Sequence, residues 1–192
     1  MNNFYRGNII KTAYSAVFIA LGIVLPFAFH AIPNAGSILL PMHIPVLLCG
    51  LICGAPYGLA CGILTPLISS ALTGMPNAAV LPAMICELAA YGLASGLLIR
   101  FIKTKSFYSN IYISLIGAML FGRIFYGLIN AIIFKAGQYS IGIWASAAFI
   151  TAIPGAIIQI IIIPIIIISL KQANLIPLNE ANTSRVKNSH ID

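Results

Sequence analysis

The stretch AVLPAMICELAAYGLASGLLIRFI, residues 79–102, decides the fold of this chain. It is longer than the roughly 20 apolar residues that a helix needs to cross a bilayer, and Glu87 is its only acidic residue. Outward from this stretch, residues 9–171 are almost continuously apolar and contain no other acidic residue, while Arg123 interrupts a second apolar run. An ionisable side chain within a membrane is costly unless it is paired or faces water. Glu87 and Arg123 are therefore candidate functional residues.

The composition of the whole chain predicts a membrane protein. Of its 192 residues, 60% are hydrophobic and 7% are charged, and the mean hydropathy is +1.03. Soluble domains usually carry about 25% charged residues, so we expect an all-α integral membrane protein. The formal net charge of +7 does not indicate nucleic-acid binding. The Lys and Arg residues lie at the ends of apolar segments, where they face lipid head groups and set the orientation.

Breaks in the hydropathy, marked by Pro, Gly and Asn, divide the chain into six predicted transmembrane helices. They form one membrane domain, residues 1–171, which is followed by a polar tail at 172–192. The first apolar stretch is long enough to span a bilayer and lacks a clear cleavage site, so we interpret it as a retained helix and not as a signal peptide. The predicted spans are about 9–30, 41–54, 56–72, 79–102, 110–134 and 143–170.

Basic residues predict the orientation of the six spans. They cluster before the first span, between the fourth and fifth, and after the sixth, which is the same side of a six-span chain. Because Lys and Arg favour the cytoplasmic side, we expect both termini and the polar tail in the cytoplasm. Lys135 is the exception. The clustered residues are Arg6 and Lys11, then Arg100, Lys103 and Lys105, and finally Lys171, Arg185 and Lys187.

Small residues recur at every fourth position in several spans, a spacing that lets helix backbones approach closely in lipid. We interpret the glycines of this set as packing positions within the chain. For Ala16 and Ala20 in the first span, two interpretations stay open: packing inside the chain, or a flat docking surface for another membrane subunit. The glycines are Gly50, Gly54, Gly58, Gly62, Gly92 and Gly96.

Polar and aromatic residues in the outer halves of the spans predict a binding site for a small molecule. Glu87 and Arg123 overlap in depth, so they either pair with each other or contact a ligand, and one does not exclude the other. His43 could be satisfied by backbone or water, and Asn130 and Gln159 could hydrogen-bond between helices. A concave site with aromatic walls and a few polar groups suits a small, partly polar ligand. The remaining candidates are Asn77, Tyr91, Tyr126 and Trp144.

Catalysis and resident cofactors find little support in the sequence. A single intramembrane carboxylate does not supply the paired acid and base of a hydrolase, and no Asp-rich metal motif or phosphate-binding loop is present. Energy from ATP would therefore require another chain. We interpret the four cysteines as small apolar packing residues, because they lie in apolar segments without a Cys-x-x-Cys pair. They are Cys49, Cys53, Cys61 and Cys86.

Several motifs resemble the substrate-binding S components of energy-coupling factor (ECF) vitamin transporters. The likeness covers residues 9–171, and the predicted topology fits that family. It implies a subunit of the bacterial plasma membrane that captures a vitamin or similar micronutrient from outside. It also implies a transmembrane coupling subunit and two cytoplasmic ATPases as partners. The motifs are PMHIPVLL at 41–48, GILTPL at 62–67, TGMP at 73–76, ELAAYGL at 87–93 and GRI at 122–124.

The resemblance also implies roles for individual residues. An Ala-x-x-x-Ala stripe on the first helix of the family meets the coupling subunit, and Ala16 and Ala20 match it. Family pockets use the outer halves of the last three helices and the outer loops, which here contain Asn77, Glu87, Asn130 and Trp144.

The vitamin itself stays open among pantothenate, riboflavin, folate and others. Arg123 would suit an acidic ligand unless Glu87 neutralises it, and a single tryptophan argues against thiamin. Whether the coupling module is dedicated or shared also stays open.

We therefore predict a substrate-capture subunit of an ATP-driven micronutrient importer. One alternative is a stand-alone channel or secondary transporter, for which the triplet Pro-Asn-Ala at 33–35 and 76–78 gives a weak likeness to water-channel signatures. The other is a small intramembrane enzyme that depends on Glu87.

Overall fold

The computed structural model describes residues 3–28, 38–104, 106–134, 142, 144, 146 and 151–176. Within these ranges the protein has six helices of eleven residues or more and no strand, which confirms the all-α prediction. The basic residues Lys105, Lys135, Arg185 and Lys187, and most of the polar tail, lie outside the described residues. The helices are α1 (Asn3–Ala28), α2 (His43–Cys53), α3 (Ala55–Thr73), α4 (Leu81–Phe101), α5 (Phe107–Ile129) and α6 (Ile153–Gln172).

Five of these described helices are long and apolar enough to cross a membrane, namely α1 and α3 to α6, and α2 is shorter. A π-helical turn, Asn130–Phe134, continues α5 at its carboxyl end. The helix α6 begins at Ile153, with Pro154 in its first turn, whereas hydropathy alone predicts a span from residue 143. Proline fits the first turn of a helix because its missing N–H would have no partner there.

The short helix α2 lies at the centre of the bundle. Its 11 residues reach about 16 Å, roughly half the hydrocarbon thickness of a bilayer. All of its residues except Ile44 are buried, and it packs against each of the other five helices or their ends. The chain enters α2 through Leu40, whose carbonyl accepts a 3.0 Å hydrogen bond from the N–H of His43. His43, the first residue of α2, is therefore buried in the interior of the bundle.

Glycines bring α2, α3 and α4 into backbone contact. A Cβ added to Gly58 would clash with the carbonyl of Gly92, and a Cβ on Gly92 would clash with the carbonyl of Gly58. Gly62 lies in the same way against the carbonyl of Leu88, and Gly96 lies against the backbone of Ala55. These contacts confirm that small residues mark helix interfaces, as expected in lipid.

Gly54 differs from the other glycines of the four-residue repeat. Nothing lies within 4 Å of the position that its Cβ would take, and its φ is +98°. That backbone conformation is open mainly to glycine. The role of Gly54 is thus the sharp turn between α2 and α3, and not helix packing.

Three of the cysteines belong to the apolar core, as their interpretation as packing residues predicts. Cys49, Cys53 and Cys61 are buried where α1, α2 and α3 meet. The thiol of Cys49 contacts the hydroxyl of Ser15 on α1 at 3.5 Å. Cys86, on α4, is half-buried.

The carboxyl end of α6 contacts two neighbouring helices, α1 and α5, at the end of the bundle that carries the basic residues. The ammonium of Lys171 lies 3.5 Å from the ring centroid of Phe107, at the start of α5. The hydroxyl of Tyr14 on α1 donates to the carbonyl of Leu175, just beyond α6. These contacts join α1, α5 and α6 at one end of the bundle.

We predict that Gly92→Ala destabilises the protein, because its methyl group would force α3 and α4 apart. Overpacking of this kind typically costs about 1–3 kcal/mol. The measurement is thermal unfolding of the purified protein in detergent. Gly7→Ala is the matched control, because nothing lies within 4 Å of that position on α1. Equal melting temperatures for the two variants would contradict the backbone contact.

Candidate functional site

A buried carboxylate is the centre of the candidate site. Glu87, in the second turn of α4, is 6% exposed. Its Oε1 lies 3.3 Å from an η-nitrogen of Arg123 on α5 and 3.4 Å from Nε2 of His43 at the start of α2. The Arg123 contact has the geometry of a hydrogen bond. Sequence analysis left open whether Glu87 and Arg123 pair with each other or contact a ligand; in the structure the two side chains are paired, and His43 contacts the same carboxylate oxygen.

Tyr91 packs this cluster from the side. It lies one turn after Glu87 on α4 and is almost fully buried. Its ring meets the His43 ring edge-on, with 5.0 Å between centroids and an interplanar angle of 77°. On the other side the ring lies against Gly122, where a Cβ would come within 2.8 Å of it. The glycine next to Arg123 thus lets α5 approach α4 at the depth of the ion pair.

The charges of the pair are held largely away from solvent. The side chain of Arg123 is 14% exposed and that of Glu87 is 8% exposed. Removing ions from water costs several kcal/mol for each ion, and the attraction between them offsets this cost only while both partners are present. The pair therefore couples α4 to α5, and neither side chain can be changed alone without leaving an uncompensated charge.

Three buried side chains carry polar atoms without a hydrogen-bond partner among the described residues. They are His43, at both ring nitrogens, Gln159 of α6, at Nε2, and Ser114 of α5, at Oγ. For His43, the 3.4 Å contact with Glu87 is close enough for electrostatic attraction but lacks the alignment of a hydrogen bond. Buried polar groups are nearly always hydrogen-bonded. These atoms are therefore the groups best able to accept or donate to a bound molecule.

Trp144 and Asn130 lie against the same part of α5. The indole N–H of Trp144 donates to the carbonyl oxygen of Arg123 at 3.1 Å, and the ring occupies the space left by the missing side chain of Gly127. Asn130 is buried, and its amide donates to the carbonyl of Tyr126 one turn earlier, at 2.9 Å. Trp144 thus contacts the segment of α5 that carries Arg123 and Tyr126, while the observed hydrogen bond of Asn130 joins it to the carbonyl one turn earlier.

Asn77 takes a different position from the other candidates. It is exposed in the turn before α4, and its Oδ1 accepts a 3.1 Å hydrogen bond from the backbone N–H of Val80. Its carbonyl also accepts from the N–H groups of Val80 and Leu81. These bonds close the turn that leads into α4, as Asn side chains commonly do, and they are not contacts with Glu87 or Arg123.

Comparison with protein-family models matches residues 11–167 to the family described as ECF transporter, substrate-specific component. This chain belongs to that family. In comparisons with curated proteins and with solved structures, no match was found. The resemblance drawn from the motifs is thereby confirmed. The protein is an S component, a substrate-binding transporter subunit with several membrane-spanning helices, and S components are not enzymes.

The first helix of the S component presents Ala16 and Ala20 outward. Both are exposed, while Ser15 and Phe18 on the opposite side of α1 are buried against the bundle. Among the described residues, none buries either alanine.

Some functional contacts of the S component were not predicted from its sequence. The contact of His43 with Glu87 joins residues 44 positions apart, and no spacing rule connects them. Gly122 and Gly127 admit the rings of Tyr91 and Trp144. Their only signal in the sequence is that two glycines flank Arg123 closely in an otherwise bulky apolar span.

We predict that Glu87→Gln and Arg123→Gln each lower the stability of the S component by about 3–5 kcal/mol, the usual cost of breaking a buried ion pair. The double variant should lose less than the sum, because no charge is left without a partner. Thermal unfolding in detergent of the four proteins of this cycle measures the coupling. Lys103→Gln, which changes an exposed charge, is the control and should unfold as the wild type does. Strictly additive losses would mean that the two side chains do not interact.

Proposed function

We propose that this S component captures a vitamin or a similar micronutrient on the outer side of the bacterial plasma membrane. It would deliver the molecule through a transmembrane coupling subunit driven by two cytoplasmic ATPases. The observation that carries the proposal is the buried cluster at Glu87, which draws polar groups from α2, α4 and α5 into the interior of a membrane protein. The proposed ligand contacts are His43, Asn77, Glu87, Tyr91, Arg123, Tyr126, Asn130, Trp144 and Gln159.

Placing polar and ionisable groups within a membrane costs free energy, and such groups persist where function requires them. The cluster combines a few convergent polar groups with aromatic neighbours, which is the usual make-up of a small-molecule site. His43 and Gln159 supply buried polar atoms that no described protein group satisfies. In an S component, a captured substrate is the group that would satisfy them.

The orientation in this proposal places the cluster in the outer half of the bilayer. Glu87 is the seventh residue of α4, so it lies about 9 Å along the helix from its first residue. The exposed residues Arg100 and Lys103 lie at the opposite end of α4, and Lys171 lies at the end of α6. The preference of Lys and Arg for the cytoplasm supports this orientation. A ligand from outside would then reach Glu87 by a short path.

The orientation predicts the labelling of single cysteines. In a variant whose four native cysteines are replaced by alanine, Asn77→Cys should react with a membrane-impermeant maleimide on intact cells. Lys103→Cys should react only after the membrane is opened. Both wild-type side chains are exposed, so burial does not explain a difference between them. Labelling of position 103 from outside would reverse the topology and remove the cluster from the outer half.

The stripe of Ala16 and Ala20 is the proposed docking surface for the coupling subunit. Helix association in lipid depends on close packing, and small side chains let two backbones approach. Both alanines are exposed on α1. Since the stripe and the Glu87 cluster lie on different helices, docking and ligand binding should be separable by mutation.

We predict that the double variant Ala16→Leu/Ala20→Leu abolishes uptake in cells while the isolated subunit still binds its ligand. The ligand is first identified by mass spectrometry of small molecules that co-purify with the wild-type protein. The control is Ala60→Leu/Ala71→Leu, which adds the same bulk to exposed positions of α3 and should leave uptake intact.

Other outcomes of this experiment separate the alternatives. Loss of both binding and uptake in the α1 variant would indicate that the stripe supports the fold. Transport by the isolated protein in liposomes would favour a stand-alone transporter, and turnover that depends on Glu87 would favour an enzyme.

A further inference from the structure

An ion pair lies at the centre of the candidate site. Arg123 and Glu87 are paired at 3.3 Å, so one positive and one negative charge cancel. Among the described residues, neither ring nitrogen of His43 has a hydrogen-bond partner, although the residue is only 2% exposed. Among the described residues, Tyr91 also contacts the cluster, and Gln159 is the buried polar side chain of α6.

His43 and Gln159, which carry unpartnered polar atoms, lie near the beginnings of two helices that pack against each other. Gly155 of α6 lies against the backbone ahead of α2, where a Cβ would come within 2.7 Å of the carbonyl of Ile38. Four residues further along α6 is Gln159, and five residues after Ile38 is His43. Gln159 is 1% exposed, and α2 packs against α6. Gly155 and Gln159 are one turn apart on the same face of α6, so the side chain of Gln159 lies on the face that packs near the beginning of α2.

These atoms define the hydrogen bonds that a ligand could make. The amide nitrogen of Gln159 is a donor, and a neutral imidazole offers one donor and one acceptor. Together they match a group that carries a carbonyl oxygen beside an N–H, such as an amide, a lactam or a ureide. The full positive charge of Arg123 is already taken up by Glu87.

We propose that this site selects an uncharged ligand with an amide-like edge, and that Glu87 is a specificity-determining residue that excludes carboxylate ligands. The inference rests on the proposed capture function. To pair with Arg123, a ligand carboxylate would have to displace Glu87 and leave that buried carboxylate without its cation. Removing one partner of a buried ion pair is strongly destabilising. An uncharged ligand leaves the pair intact and uses His43 and Gln159.

The test compares matched acids and neutral derivatives as ligands of the purified wild-type S component. The pairs are nicotinate and nicotinamide, biotin and biotinamide, and pantothenate and panthenol. Isothermal titration calorimetry and the thermal shift of the protein report binding, and mass spectrometry identifies any co-purifying molecule and thus its charge at neutral pH. Within a pair that binds, the neutral member should bind at least about tenfold more tightly. Any co-purifying molecule should be uncharged.

Glu87→Gln should reverse this preference, because it releases the charge of Arg123 for a ligand carboxylate. The further change Arg123→Gln should abolish the reversal, and Lys103→Gln should leave the wild-type preference unchanged. The wild-type comparison and the co-purified molecule need no variant, so they test the inference even if Glu87→Gln does not fold.

Three outcomes would count against these ideas in different ways. Acids that bind the wild type as tightly as their neutral partners, or an anionic co-purified molecule, would overturn the charge selection and leave the capture function standing. An unchanged preference in a folded Glu87→Gln protein would overturn the role of Glu87. If no small molecule co-purifies and no member of any pair binds the wild type or Glu87→Gln, the capture function fails, and the inference fails with it.

Discussion

Glu87 is a carboxylate inside an apolar helix bundle, and the need to compensate its charge explains much of the surrounding structure. The guanidinium of Arg123 supplies the opposite charge from α5. For the two side chains to meet, α4 and α5 must approach closely, and Gly122 permits this by leaving room for the ring of Tyr91. The imidazole of His43 reaches the same oxygen because α2 begins well inside the bundle. One electrostatic requirement thus links three helices.

The glycine contacts provide a rigid frame for this cluster. Between Gly58 and Gly92 the backbones of α3 and α4 touch, and Gly62 lies against Leu88, the residue next to Glu87. Protein interiors are close-packed and transmit small displacements. A shift of α3 against α4 would therefore move Glu87 relative to Arg123. The geometry of the site therefore depends on the packing of the small residues.

The sequence predicted the parts of the structure that depend on position along the chain. Apolar run lengths identify the helices, and the rarity of charge within those runs identifies Glu87 and Arg123. Depth along a helix can also be counted, which is why the ion pair was predictable. The direction of each side chain around its helix axis depends on tertiary packing, and a single sequence does not contain it. Hence the direct contact of His43 with Glu87 and the hydrogen bond of Asn77 within the turn before α4 were not predicted, and Gly54 was grouped with the packing glycines although it forms a turn.

The buried position of α2 also bears on how the chain is assembled in the membrane. A helix of 11 residues cannot bridge the hydrocarbon layer by itself, and residues Leu40 to Met42 at its entry are buried but not helical. Irregular backbone is tolerated at membrane depth only when protein surrounds it. The segment therefore becomes stable in the bilayer only together with α3, to which the Gly54 turn joins it, and with the helices that enclose them both. The innermost helix of the finished protein is the one least able to insert alone.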